Sequence, residues 1–402
     1  MRRVLFVNRY YFPDRSATSQ LLSDLAPALS KSAMEVEVIC SRQLYDDAKV
    51  RLPALETLEG VRINRVATTR FGRSRLLGRA LDYSSFYVSC AVQLLRRVRR
   101  GDVVVAKTDP PLLSLLAAPL VRLKRAHLVN WQQDVFPEVA TRLDANPLPG
   151  WLDGWLRRRR DASLKAARMN VLVGSRMRDY FLGRGVPAKQ LCVVENWVDA
   201  EAISPKPSSD SELRRQLGLS DAFVVCYSGN FGRAHEYDAL LGAIEALKHD
   251  SSVAFLFIGG GVKMDALKSD VTARGLTAVR FLPYQPRASL NDSLAAGDVH
   301  LASLLPTLEG FIVPSKFYGI LAAGRPVIFV GDEDGELPRL IRESGCGLNV
   351  PSGDANALLA GIRRLQADRQ EQHAMGLAAR RLSARYSVEQ GIERWSSLLS
   401  SI

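Results

Sequence analysis

Short apolar runs recur along the whole chain, each ending in a polar or glycine-bearing loop and followed by a segment of helical periodicity. Arg3–Asn8 (RVLFVN) is the first such run. From Thr18 to about Ser32, Leu21, Leu22, Leu25, Ala26 and Leu29 share one helical face. MEVEVIC follows as an alternating strand. A β-α-β opening predicts a parallel sheet, because the crossover helix has to cover one of its faces. Further strands are read at Val103–Ala106, Leu128–Trp131 and Asn170–Val173, with a helix starting near Pro110–Pro111.

A polar stretch around Ser204–Asp210, in the run PKPSSDS, interrupts this series. A second series then begins with the strand Phe223–Ser228 and a helix from about Glu236. Strands at Ala254–Ile258, Val279–Phe281, Val299–Ala302 and Val327–Val330 follow, and Val388–Leu399 reads as a last amphipathic helix. The pattern predicts an α/β protein with two successive β/α arrays, residues 1–204 and 205–385. At 402 residues the chain is too long for one comfortable core, which agrees with two. Open parallel sheets bind ligands beyond the carboxyl ends of their strands, so the loops after the strands are where chemistry is expected.

Charge is unevenly placed. Residues 1–200 hold 33 Lys and Arg against 19 Asp and Glu, a net +14, whereas residues 201–402 hold 21 against 23, a net −2. The basic half points to a polyanionic partner or to solvated helix faces. Three clusters stand out: Arg70–Arg79 (RFGRSRLLGR), RRVRR at 96–100 and RRRR at 157–160, the last beside Trp151 and Trp155. Arginines next to tryptophan and leucine suit an anionic bilayer interface. No nucleic-acid motif is present, and nucleic acid is not expected as a partner. The five cysteines lie far apart with no CxxC pair, and read as buried reduced thiols. The N-terminus runs into a strand without a signal-peptide pattern, and no stretch of about 18 apolar residues appears. A cytoplasmic protein is expected.

Three loops carry the chemical signal. Pro314-Ser315-Lys316 precedes an apolar helix that ends at Gly324. A serine and a lysine at a helix start offer free N–H groups, a hydroxyl and a cation, which together suit a phosphate. The second loop is CYSGNFGRAHEY at 226–237, where Gly229 and Gly232 bracket a turn directly after a strand. Arg233 and His235 stand at the mouth of the helix that follows, and a histidine there is a pH-sensitive cation. The third is FIGGGVK, containing Gly260, which lacks the GxGxxG of a dinucleotide site.

The order SGNFGRAHE, FIGGGVK, FLPYQP, Glu309-Gly310 and PSKFYGILAAGRPVI resembles glycosyltransferase family 4. Together with NRYYFPDRSATSQLLSDLAPAL, NWQQDVFPEVA and NWVD, it looks like the branch of N-acetyl-L-fucosamine transferases in bacterial surface-polysaccharide assembly. The resemblance implies a GT-B fold, two Rossmann-like domains facing across a cleft, with residues 386–402 crossing back to the first. It further implies a retaining transferase without a required metal or cofactor, using a nucleotide sugar, UDP-linked, and a polyprenyl-diphosphate-linked saccharide acceptor at the inner membrane face. On this likeness Ser315, Lys316, Gly229, Asn230 and Arg233 flank the diphosphate. Pro283 and Tyr284 cradle the base, and Glu309 and Gly310 lie by the donor sugar. The family's second glutamate aligns with Gly319, a departure. In the first half, Tyr11, Asp14 and Thr18 would face the acceptor, and Asp134 would orient its hydroxyl. Two other readings stay open: a UDP-sugar epimerase-type enzyme of the same fold, and a non-catalytic membrane-surface binding protein.

Overall fold

The computed structural model describes residues 2–14, 16–45, 47, 50–72, 76–145 and 148–402. The chain divides into two compact units. The first comprises Met1–Asn196 with Val388–Ile402, and the second Trp197–Ser387.

The first unit opens with β1 (Arg3–Val7), α1 (Ala17–Lys31) and β2 (Glu35–Ser41), then a hairpin of β3 (Leu55–Leu58) and β4 (Val61–Val66). After α2 (Leu76–Arg97) come β5 (Val103–Ala106), α3 (Leu113–Leu123) and β6 (His127–Gln132). The short α4 (Glu138–Arg142) and α5 (Gly150–Ala166) lead to β7 (Met169–Leu172), α6 (Ser175–Gly183) and β8 (Leu191–Val193). The sheet order is β3-β4-β2-β1-β5-β6-β7-β8, parallel except for the β3–β4 pair.

The second unit begins with α7 (Glu212–Gln216), β9 (Phe223–Asn230), α8 (Asp238–Ala246), β10 (Val253–Gly260) and α9 (Val262–Ala273). It continues through β11 (Val279–Leu282), α10 (Leu290–Ala295), β12 (Val299–Ser303), α11 (Lys316–Ala322) and β13 (Val327–Gly331). It closes with α12 (Glu336–Ser344), β14 (Gly347–Pro351), α13 (Ala355–Ala367) and α14 (Arg369–Ser383). Its parallel sheet has the order β11-β10-β9-β12-β13-β14. That order reverses between β9 and β12, which opens a crevice at their carboxyl ends.

The last helix, α15 (Val388–Ser401), belongs to the first unit. Trp395 packs there with its ring centre 4.5 Å from Trp131 and 6.4 Å from Phe6. The first unit ends at Asn196 rather than at 204. Ile203 explains the difference, because it is buried with Leu294, Ala322 and Ala323 of the second unit.

Within the alternating run MEVEVIC of β2, Glu37 is buried. Arg3 and Arg97 hold its two oxygens at 2.7 and 2.9 Å, so a charge can sit inside the layer. Arg97 is thereby removed from the 96–100 cluster as a free cation. In RRRR, Arg160 is only 2% exposed and donates to both oxygens of Glu138 at 2.9 and 2.7 Å. Arg157 pairs with Asp153 at 2.6 Å, which leaves Arg158 and Arg159 exposed. Of the cysteines, Cys192 is half-buried and the other four are buried, all free. The middle of the first basic cluster, residues 73–75, lies outside the described residues.

Candidate functional site

The loops after β9 and β10 form one piece of backbone. Gly259 pairs with Gly229 and Gly260 with Asn230. Phe231 N donates to Gly260 O at 2.7 Å, and Lys263 N to Phe231 O at 3.0 Å. A side chain has no room here: a Cβ on Gly259 would lie 2.2 Å from the Gly229 carbonyl oxygen, and φ there is +132°. Only glycine takes that backbone cheaply, which is why the two glycine signals fall on adjacent strands.

Lys316, the first residue of α11, reaches this joint. Its ammonium contacts the Tyr227 hydroxyl, lies 3.4 Å from the Asn230 carbonyl oxygen, and sits 3.5 Å from the centre of the Tyr227 ring. Burial holds its amine well below the usual lysine range. A Cβ on Gly229 would stand 3.6 Å from Lys316 Cε, so a side chain there would touch the lysine. Ser315, the residue just before α11, is exposed and does not use its hydroxyl to cap the helix. Arg233 is exposed, and among the described residues no ion pair engages it. Lys316, Ser315, Gly229 and Asn230 are therefore brought together, with hydrogen-bond donors unspent.

His235 differs from its expected state. Its Nδ1 is 2.7 Å from the Ser303 carbonyl oxygen. Burial, then the neighbouring Lys316 charge, push its pKa well below the usual imidazole value, so it stands neutral rather than as a pH-sensitive cation. Lys263 donates to its backbone carbonyl.

Glu309 has a task the sequence does not show. Its Oε1 accepts the Glu336 N–H at 2.8 Å and so caps α12, 27 positions further on. Gly310 beside it takes φ +79°. Pro283 and Tyr284, just after β11, are exposed, and the Tyr284 ring lies over Gly260, 3.3 Å from where a Cβ would stand. At Gly319 a Cβ would meet only Leu294, at 3.9 Å.

In the first unit the expected acceptor residues differ in their surroundings. Tyr11 is 3% exposed and turned into the core, and burial pushes its phenol far up. Asp14 is spent on its own loop: Oδ1 accepts from Ser16 N at 2.8 Å and Ser16 Oγ at 2.5 Å, and Oδ2 from Tyr45 N. Thr18 is half-buried in the first turn of α1. Asp134, just beyond β6, is pushed up to about 6 by burial and then by Asp109. Reading by sequence missed Lys107. It follows β5, is 1% exposed, and holds its ammonium 3.2 Å from the Trp131 ring centre. A lysine closing the run VVVA was the available signal. Among the described residues, no group of three or more His, Cys, Asp or Glu is placed to hold a metal ion.

Two family models match. Residues 18–197 match the glycosyl transferase 4-like domain, and residues 209–382 match the glycosyl transferases group 1. The protein named glycosyltransferase WbjE of Pseudomonas aeruginosa is 32% identical over 72% of this chain and 72% of its own length. The colanic acid biosynthesis glycosyl transferase WcaI of Escherichia coli is 30% identical over 48% of this chain and 49% of its own. Among solved structures, sucrose-phosphate synthase from Thermosynechococcus elongatus superposes over 100% of this chain and 99% of its own, with a TM-score of 0.80 at 18% identity. Anabaena HepE in complex with UDP-glucose covers 100% of each chain, with a TM-score of 0.75 at 17% identity. WaaG, a glycosyltransferase involved in lipopolysaccharide biosynthesis, covers 98% of this chain and 99% of its own, with a TM-score of 0.69 at 14% identity. Two parallel-sheet units of this kind are the GT-B fold, and the chain belongs to the glycosyltransferases, with a glycosyl transferase 4-like domain followed by a group 1 domain.

Proposed function

We propose that the chain is a retaining glycosyltransferase of bacterial surface-polysaccharide synthesis, in O-antigen, capsule or exopolysaccharide assembly. It moves an N-acetylated hexosamine or deoxyhexosamine, as in the N-acetyl-L-fucosamine transferase branch, from a UDP-linked donor. The acceptor is a saccharide on polyprenyl diphosphate, met from the cytoplasmic side by a peripherally bound enzyme. The unit Trp197–Ser387 takes the donor, and the unit of Met1–Asn196 with Val388–Ile402 takes the acceptor.

The observation that carries this reading is Lys316 at the joint of the β9 and β10 loops, with the uncommitted Ser315 hydroxyl beside it. A diphosphate there meets a cation, a hydroxyl and free N–H groups, with Arg233 at the rim. These groups stabilise the leaving diphosphate, the work a metal ion does in other transferases. Neutral His235 adds a hydrogen bond and no charge. Tyr284 and Pro283 flank the base, and Glu309 with Gly310 holds the donor sugar while capping α12. Asp134 orients the acceptor hydroxyl. The names of the relatives support the setting: one concerns colanic acid, another lipopolysaccharide, and HepE binds UDP-glucose.

The test is turnover in the presence of a chelator. Purified protein is given a panel of UDP-sugars and a lipid-linked acceptor, and the product linkage is read by NMR. Transfer with retained anomeric configuration is expected. Release of an epimerised nucleotide sugar without acceptor, or no turnover with any donor, contradicts the proposal.

A further inference from the structure

Helix α2 has two apolar faces where a surface helix normally has one. Phe86, Cys90 and Leu94 face inward and are buried. On the opposite side Leu77 (81% exposed), Leu81, Val88 (66% exposed), Val92 and Leu95 stand in solvent. Their spacing of four, seven, four and three residues keeps them on one line, about 27 Å long at 1.5 Å per residue. Phe71, just before the helix, is exposed as well. Beside the line, Val88 and Val92 border an open cavity of about 380 Å³ shared with Leu55 of the hairpin and Ala54 just before it. Isolated exposed leucines are ordinary, but a continuous stripe marks an interaction surface.

The charge around the stripe selects the partner. Between positions 70 and 100 there are eight arginines and one acid, Asp82. That acid is buried and engaged by Thr69 Oγ1 at 2.8 Å, Phe71 N at 3.0 Å and Gly72 N at 3.1 Å. Arg70, Arg96, Arg99 and Arg100 are exposed, and Arg79 half-exposed, and none of the five forms an ion pair among the described residues. An apolar line framed by unpaired arginines, with no exposed carboxylate on the helix, is complementary to an anionic lipid surface.

We propose that the outer face of α2 is where this chain docks on an anionic bilayer, with Leu77, Leu81, Val88, Val92 and Leu95 inserted at the headgroup boundary and the arginines on the phosphates. This rests on the reading that the acceptor is held in a membrane. It places the main contact on α2, away from the WLDGWLRRRR segment of α5, where Arg157 and Arg160 are already bound in ion pairs. The side chains concerned are exposed, so charged substitutions on them leave the fold intact.

The experiment is co-sedimentation of the full chain with vesicles of phosphatidylglycerol and phosphatidylethanolamine, against neutral phosphatidylcholine vesicles. Wild type binds the anionic vesicles and releases them at high salt. Leu81→Asp with Val88→Asp loses at least about tenfold in partitioning, and Trp151→Ala with Trp155→Ala loses much less. Melts with UDP are run on the same proteins: an unchanged UDP response in the α2 variant separates docking from donor binding. If wild type shows no UDP response, the UDP-donor reading fails while the vesicle result stands on its own. Equal binding to neutral vesicles, loss of binding only in the α5 variant, or a dimer in light scattering that the α2 substitutions dissociate would overturn the proposal.

Discussion

The ammonium of Lys316 sits 3.5 Å from the centre of the Tyr227 ring and against its hydroxyl, so the cation at the start of α11 is held over the end of β9. Attraction to the ring offsets part of the cost of taking the charge out of water.

A pH dependence follows. Burial lowers the Lys316 pKa in the folded protein below its ordinary 10.5, so the unfolded chain binds more protons between those two values. On its own the group therefore makes stability rise with pH through that window. An anion bound at Lys316 favours the charged form and takes up a proton. The stabilisation by UDP should accordingly shrink as pH rises toward 10.5, and less so in Lys316→Arg, which stays charged. Melts with and without UDP along a pH series read this directly.

Glu309 should count in stability as well as in binding. Glu309→Ala removes the cap of α12 and should cost about 1 kcal/mol, while Glu309→Gln keeps an acceptor oxygen and should cost less. Urea denaturation of the three proteins gives the comparison.

The four arginines at 157–160 should behave unequally. Burial alone would push the Glu138 carboxyl up, yet the hydrogen bonds and charge of Arg160 bring it net below the ordinary range. Arg160→Met strands that carboxylate in the interior and should cost about 3–5 kcal/mol. Arg158→Ser, at an exposed position, should stay within about 0.5 kcal/mol of wild type.

These arginines show what a sequence can and cannot display. The strands from β9 to β13 were legible because each is an apolar run closed by glycine or a polar loop. Gly229 and Gly259 were visible singly, but their contact comes from strand pairing. Helix α2 and the β3–β4 hairpin escaped reading, since α2 is apolar on both sides and β3 is short and exposed. Asp14 and Tyr11 were read as loop residues facing a ligand. What decides their place is the Tyr45 amide in one case and the fit of a ring into the core in the other. The partner of Glu309 is a backbone N–H, which leaves no trace in residue identity.

Gly319 offers a test of the departure from the family pattern. It lies inside α11, where glycine is unfavourable, and a Cβ meets only Leu294 at 3.9 Å. Gly319→Ala should therefore stabilise the protein by about 0.5–1 kcal/mol. A raised melting temperature with unchanged UDP response is expected.

The central claim is that Lys316 and the β9–β10 joint bind the diphosphate of a nucleotide sugar. Its most direct test is thermal stability of the purified protein, without metal, against UDP, GDP, ADP and dTDP. A ligand at 100 times its Kd stabilises by about 2.7 kcal/mol, a clear shift in a melt. The account predicts a shift with UDP that Lys316→Ala abolishes. No shift with any of the four at millimolar concentration, or a full UDP shift retained in Lys316→Ala, would contradict it.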